Sequence, residues 1–214
     1  AMVMAPAWGV IFPPYNIAKL TGILRENDYS TKVYDLNVEC YRYLTAKIKQ
    51  DYWRSEKYFL WVNKENFEKF ILPYIKPLLD KAIDEIVRAN PKVVGFSLYQ
   101  TNFYATSYIV GEINKKAPNI CLIVGGPEVA TSGPFRFSSL PINYIFMGEA
   151  EQTLLHFLNT IPKKYEMHKV IGSVDSKLKL ESYPFADYSD YNLKNYKYGN
   201  GVSIETSRGC VAQS

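Results

Sequence analysis

The chain has 214 residues, 47% of them hydrophobic, with 25 basic and 21 acidic side chains and a net charge of +4. That length holds one good α/β domain plus extra elements. The lysines are scattered, which argues against a nucleic-acid surface, and no apolar run approaches the ~18 residues of a membrane span. Cysteines at 40, 121 and 210 lie too far apart for a disulfide framework and fit a reducing cytoplasm. Aromatic residues make up 15%, from 18 Tyr and 11 Phe foremost. Most are expected to fill the core or stud the surface, and some to line a groove or interface.

Met2–Ala5 is a short apolar run, expected as a first buried strand, and Pro6, Gly9, Pro13 and Pro14 make the following stretch a loop. Ile17, Leu20, Ile23 and Leu24 recur at helical spacing and predict a helix over 15–27. A second strand is expected at 31–36. From 38 to 90 the pattern is mostly helical and reads as an insertion between strands 2 and 3. Pro73 and Pro77 interrupt it, predicting two helices or a kinked one with Pro77 near a helix start. Residues 92–98 read continuously apolar, as buried parallel strands do. A helix at 103–116, a strand at 120–124, a strand at 144–147 and a helix at 150–159 follow. Beyond 162 the pattern changes: 170–174 and 178–180 suggest a hairpin, 183–200 a tyrosine-rich linker, and 201–206 a strand. Alternation at this spacing predicts an α/β fold, a flavodoxin-like (Rossmann-like) doubly wound five-stranded parallel sheet. The divisions are a domain at 1–162, a linker at 163–200 and the start of another unit at 201–214.

Ligands of such sheets bind beyond the C-terminal ends of the strands. Those ends carry Pro6-Ala7-Trp8-Gly9, Asp35-Leu36-Asn37, Ser97-Leu98-Tyr99-Gln100-Thr101, Gly125-Gly126-Pro127 and Met147-Gly148-Glu149. The G-x-G-x-x-G of a dinucleotide site and the phosphate-binding P-loop are absent. A receiver-type phosphoacceptor needs carboxylates after strands 1 and 3, and Pro6-Ala7 and Ser97-Leu98 offer none. The rim is small and polar with aromatics nearby, suited to a broad, flat, largely apolar ligand.

Ser97-x-Tyr99-x-Thr101 and Gly125-Gly126 resemble the S-x-L-x-T and G-G signatures of cobalamin-binding domains. That family's Asp-x-His-x-x-Gly stretch gives a histidine to cobalt. Set against Asp35-Leu36-Asn37-Val38-Glu39-Cys40, Asn37 stands for His and Cys40 for Gly. The departure resembles the B12-binding domain at the front of many radical-SAM enzymes. Pro13-Pro14, Gly148-Glu149-x-Glu151, Tyr183-Pro184-Phe185-Ala186-Asp187-Tyr188 and Ser207-Arg208-Gly209-Cys210 match that pattern too. The resemblance implies cobalamin bound base-off and His-off. It assigns cofactor contacts to Ala7, Trp8, Gly9, Asn37, Ser97, Tyr99, Thr101, Gly125, Gly126, Pro127, Gly148 and Glu149. It also implies a parent enzyme, a methyltransferase or cyclase, with a [4Fe–4S] cluster and S-adenosylmethionine in a C-terminal domain that this chain lacks. Cys210 would then be the first metal ligand of C-x3-C-x2-C, whose second position falls on Ser214. No catalytic residue is assigned within the chain.

Plainer readings stand beside these. Asp35, Ser97 and Thr101 are natural helix caps, Asn37 a turn residue, and Gly125-Gly126 a tight turn in any α/β protein. Glu149 and Glu151 suit a helix N-terminus. His156 and His168 have no metal-ligand spacing, and Cys40 and Cys121 read as inert core thiols. A ligand-free docking or regulatory domain is the alternative function, and a nucleotide or flavin site a weaker third.

Overall fold

A computed structural model describes residues 1–172 and 183–207. Six short strands form one sheet: β1 (Met2–Met4), β2 (Val33–Asp35), β3 (Val93–Ser97), β4 (Cys121–Gly125), β5 (Tyr144–Met147) and β6 (Lys169–Gly172). Every pairing is parallel and the order is β2-β1-β3-β4-β5-β6. The chain therefore reverses direction across the sheet between β1 and β3, the crevice position at which doubly wound folds bind ligands.

The two-residue period of each strand divides the core. Met2, Met4, Cys121, Ile123, Tyr144 and Phe146 point to one face, where α1 (Tyr15–Glu26) and α9 (Glu151–Asn159) pack. Val3, Ala5, Val94, Leu122, Val124 and Ile145 point to the other. That second face carries α6 (Leu72–Ala89) and α7 (Phe103–Lys116), joined by the insertion helices α2 (Leu36–Tyr43), α3 (Ala46–Tyr52), α4 (Phe59–Val62) and α5 (Lys64–Asn66). Within the insertion, Trp53, Trp61 and Phe67 pack ring on ring beside aliphatic residues such as Leu44, Leu60 and Ile71 of the same core.

Four expectations need correction. The sheet has six strands, not five: the first arm of the expected hairpin is an edge strand paired in parallel with β5, from Tyr144↔Lys169 to Met147↔Gly172. Its supposed partner at 178–180 lies outside the described residues. Residues 201–206 form no strand, and Val202 and Ile204 stay exposed. Pro73, not Pro77, sits in the first turn of α6, where a missing N–H costs nothing. Pro77 is accommodated inside that helix, and the irregularity falls earlier, in a π-helical turn at Phe67–Ile71. A short helix, α8 (Pro127–Ser132), follows β4 where the sequence suggested only a turn.

Residues 183–207 form a strap over α1. The Asp187 amide donates to Ala18 O at 2.9 Å, and Arg25 pairs with both Asp187 and Asp190 at 2.8 Å. Gly22 makes the close approach possible, since a Cβ there would lie 2.3 Å from Phe185 O. Further on, Lys197 N–H donates to Val10 O at 3.0 Å and Phe12 packs on Tyr198. No helix among the described residues is long and apolar enough to cross a membrane.

Candidate functional site

The tips of β1, β3, β4 and β5 are neighbours, and hydrogen bonds fix their loops to one another. Leu98 N–H donates to Gly125 O at 2.7 Å, and Glu128 N–H donates to Leu98 O at 3.1 Å. This stitching brings the backbone of Leu98 against Gly126, whose φ is +105°. A Cβ at Gly126 would lie 2.8 Å from both Leu98 N and Leu98 O, so only glycine fits. On the other side, Thr101 Oγ1 donates to Ala7 O at 2.6 Å and ties the β3 loop to the β1 loop. Trp8 and Tyr99 then meet with ring centroids 5.8 Å apart.

Below these tips a slot of about 440 Å³ opens between the sheet and helices α1 and α9. Met2, Gly95 and Ile123 are on its sheet side. Gly95 lowers the floor: a Cβ there would meet Met2 Sδ at 3.2 Å and Ile123 Cγ1 at 3.3 Å. Ser97, Tyr99, Gly125, Gly126, Pro127 and Gly148 all line the slot. Ser97 Oγ accepts from Asn16 Nδ2 at 2.5 Å. Burial pushes the Tyr99 phenol above its ordinary pKa, so it stays neutral.

The remaining sequence-named residues lie apart from the slot. Ala7, Trp8 and Gly9 sit in the loop above β1, Ala7 buried and Gly9 exposed. Glu149 is exposed ahead of α9. Thr101 serves the loop-to-loop bond rather than capping α7. Asn37 is 1% exposed, and its amide is fully used. Oδ1 accepts from Trp8 N–H at 2.9 Å and Trp53 Nε1 at 3.2 Å, while Nδ2 donates to Trp8 O at 3.1 Å and Gly9 O at 3.2 Å. That is the whole bonding capacity of a carboxamide. Asn37 therefore clamps the β1 loop from behind instead of facing a ligand. Asp35 caps α2 through Val38 N–H at 3.1 Å and also accepts from Tyr196 of the strap. Burial raises its carboxyl pKa to about 6.

Sequence reasoning missed several groups. Asn102, fully buried, holds the β3 tip: Oδ1 accepts from Tyr99 N–H and Nδ2 donates to Ser97 O, both at 2.9 Å. From α1, Tyr15, Asn16 and Lys19 enter the slot wall. Their i, i+1, i+4 spacing was legible as one helix face, but their polarity hid it. Glu205, far along the chain, also reaches the wall and accepts from Tyr15 Oη at 3.0 Å.

Neither histidine lines the slot: His156 is exposed on α9, and His168 Nε2 lies 2.7 Å from Leu140 O, ahead of β6. Cys40 and Cys121 are buried with thiol pKa values raised by burial, that of Cys121 to about 12. No cluster of three His, Cys, Asp or Glu residues able to hold a metal occurs among the described residues. Cys210 lies outside them.

No curated protein and no solved structure matches the chain. A family model described as the B12 binding domain matches residues 62–158. That stretch runs from the end of α4 to α9. It includes β3, β4, β5 and the slot residues Ser97, Gly125, Gly126, Pro127 and Gly148, and excludes β1, α1, β2 and the strap. A B12-binding domain thus occupies residues 62–158, on the sheet that carries the slot.

Proposed function

We propose that the chain binds cobalamin, with the nucleotide tail in the slot and the corrin over the tips of β1, β3 and β4. The slot carries this reading. It opens at the C-terminal strand ends within the B12-matched segment, and its volume falls in the ~300–1,000 Å³ range of small-molecule sites. The residues suit the group. Apolar side chains from the sheet, α1 and α9 meet an aromatic base, Ser97, Asn16 and Tyr99 offer hydrogen bonds, and Gly125 and Gly126 let backbone approach. With Asn37 where the resembling family has its cobalt-ligating histidine, and with His156 on α9 and His168 ahead of β6 rather than at the strand tips, the binding mode proposed is base-off and His-off. Bound cobalamin supplies a cobalt centre for methyl transfer or radical chemistry. The chain's own residues orient the cofactor and keep water from it.

The radical-SAM parent belongs to the same proposal and rests on the resemblance of Ser207-Arg208-Gly209-Cys210 and the strap sequence. A longer natural chain with cysteines completing C-x3-C-x2-C, reconstituted with iron and sulfide, tests it by the cluster's absorption. The alternative is a ligand-free docking domain, favoured by the high exposure of Phe135 and Phe185, at 89% and 94%.

Titration of the purified chain with hydroxocobalamin separates the two readings. A shifted corrinoid spectrum and a raised melting temperature support cobalamin binding; neither change supports docking. Ala130→Trp, on an exposed position of α8 at the slot, is expected to abolish the spectral shift while leaving the fold intact.

A further inference from the structure

Lys19 is the one cation that lines the slot among the described residues, and it is 5% exposed. Buried lysines are rare unless a carboxylate neutralises them. None of the described carboxylates lies within ion-pair distance of Lys19. Its ammonium donates to a neutral acceptor, Pro184 O, at 3.1 Å, and stands 5.2 Å from the centroid of Tyr183. An ammonium carries three donors, so the strap carbonyl uses one and leaves both the charge and two N–H groups to be met. The strap holds the side chain in place, because Gly22 and Ala18, on either side in α1, are fastened to Phe185 and Asp187. Glu151 and Glu205 also line the slot but lie beyond ion-pair distance of Lys19, and the remaining lining is mostly apolar, so the pre-positioned ammonium is the point at which a ligand's single negative charge is met with apolar surface around it.

We propose that Lys19 recognises the phosphodiester of the cobalamin nucleotide tail, and so makes this site selective for corrinoids that carry the complete tail. The inference rests on the cobalamin reading and assigns its charge recognition to a residue outside the B12-matched segment. The aromatic base then lies among the apolar side chains of the slot, while the ammonium meets the phosphate that links base and corrin.

The test compares cobalamin with cobinamide, which lacks the nucleotide tail, on the wild type, Lys19→Met and Lys19→Arg, with melting temperatures recorded for each. The wild type is expected to prefer cobalamin. Lys19→Met should weaken cobalamin binding roughly ten- to a hundred-fold, the range for a lost hydrogen bond to a charged group. Cobinamide binding should be unchanged, and Lys19→Arg should restore part of the preference. Unchanged cobinamide affinity also certifies that the variant is folded. Equal weakening of both ligands, or of neither, overturns the role of Lys19 while leaving cobalamin binding intact. A wild type that binds neither corrinoid sinks the cobalamin reading itself. Inorganic phosphate supplies the last arm. If it stabilises the wild type but not Lys19→Met, and cobalamin affinity is the same in both, the ammonium serves free phosphate and the tail assignment is overturned.

Discussion

Replacing Asp35 by Asn probes how the strap is fastened to the sheet. Asp35 ends β2, is 7% exposed, and bonds both Val38 N–H and the Tyr196 hydroxyl. Burial raises its pKa from 3.8 to about 6, with the bonds from Tyr196 and the α2 backbone opposing the rise. A carboxyl whose folded pKa lies above its unfolded value contributes most below the unfolded value, and that contribution is lost as pH rises through the folded one. At about 1.4 kcal/mol for each pH unit, the rise is worth about 3 kcal/mol. Asn keeps the α2 cap through its oxygen, and its NH₂ can donate to the Tyr196 hydroxyl. Denaturant unfolding of both proteins between about pH 4 and pH 8 provides the measurement. The wild type should lose up to about 3 kcal/mol relative to Asp35→Asn across that window, with the midpoint near pH 5, midway between the unfolded and folded pKa values, so the variant is the more stable at the alkaline end. Parallel pH curves for the two proteins, or a variant relatively weaker at pH 8, would refute the reasoning.

Three further substitutions have outcomes fixed by geometry. Gly126→Ala places a Cβ 2.8 Å from the Leu98 backbone at φ +105°; it should cost about 1–3 kcal/mol in denaturant unfolding and weaken cobalamin binding at the rim. Gly22→Ala drives a methyl group into Phe185 O; the strap should lift from α1, and limited proteolysis should cut within 183–200 faster than in the wild type. Asn37→Ala strands the Trp8 amide and the Trp53 indole N–H. A loss of about 1–3 kcal/mol is expected from the unfolding midpoint, with the histidine variant no better, because imidazole cannot supply four bonds in that space.

Hydrophobic period and glycine placement carried most of the architecture. Continuous apolar runs at 92–98 and 120–124 are what strands buried on both faces require, and they lie in the sheet as β3 and β4. Helix α7 was legible to the residue from its spacing. Gly125-Gly126 marked a turn, and the tertiary structure added why the second glycine is obligatory: the Leu98 backbone presses on it. The strand at β6 was anticipated as a hairpin arm, but its place in the sheet escaped because a four-residue edge strand has little burial to pattern its sequence, and its parallel partner β5 lies more than twenty residues earlier.

The slot divides along the same line. Ser97, Gly125 and Gly148 were readable because a strand's tip is fixed once the strand is found. Lys19 and Glu205 were not, since one looks like a solvent-facing helix residue and the other lies 186 positions further on. Their placement in one wall is decided by long-range packing of the strap on α1. Asn37 shows the converse: its position at a strand end was correct, but only the loops closing around it assign all four of its hydrogen bonds and keep it out of the slot. Local sequence determines which residues lie at the sheet's rim because periodicity is a local property. Which of those side chains line the slot depends on segments far apart in the chain, and only the folded structure brings them together.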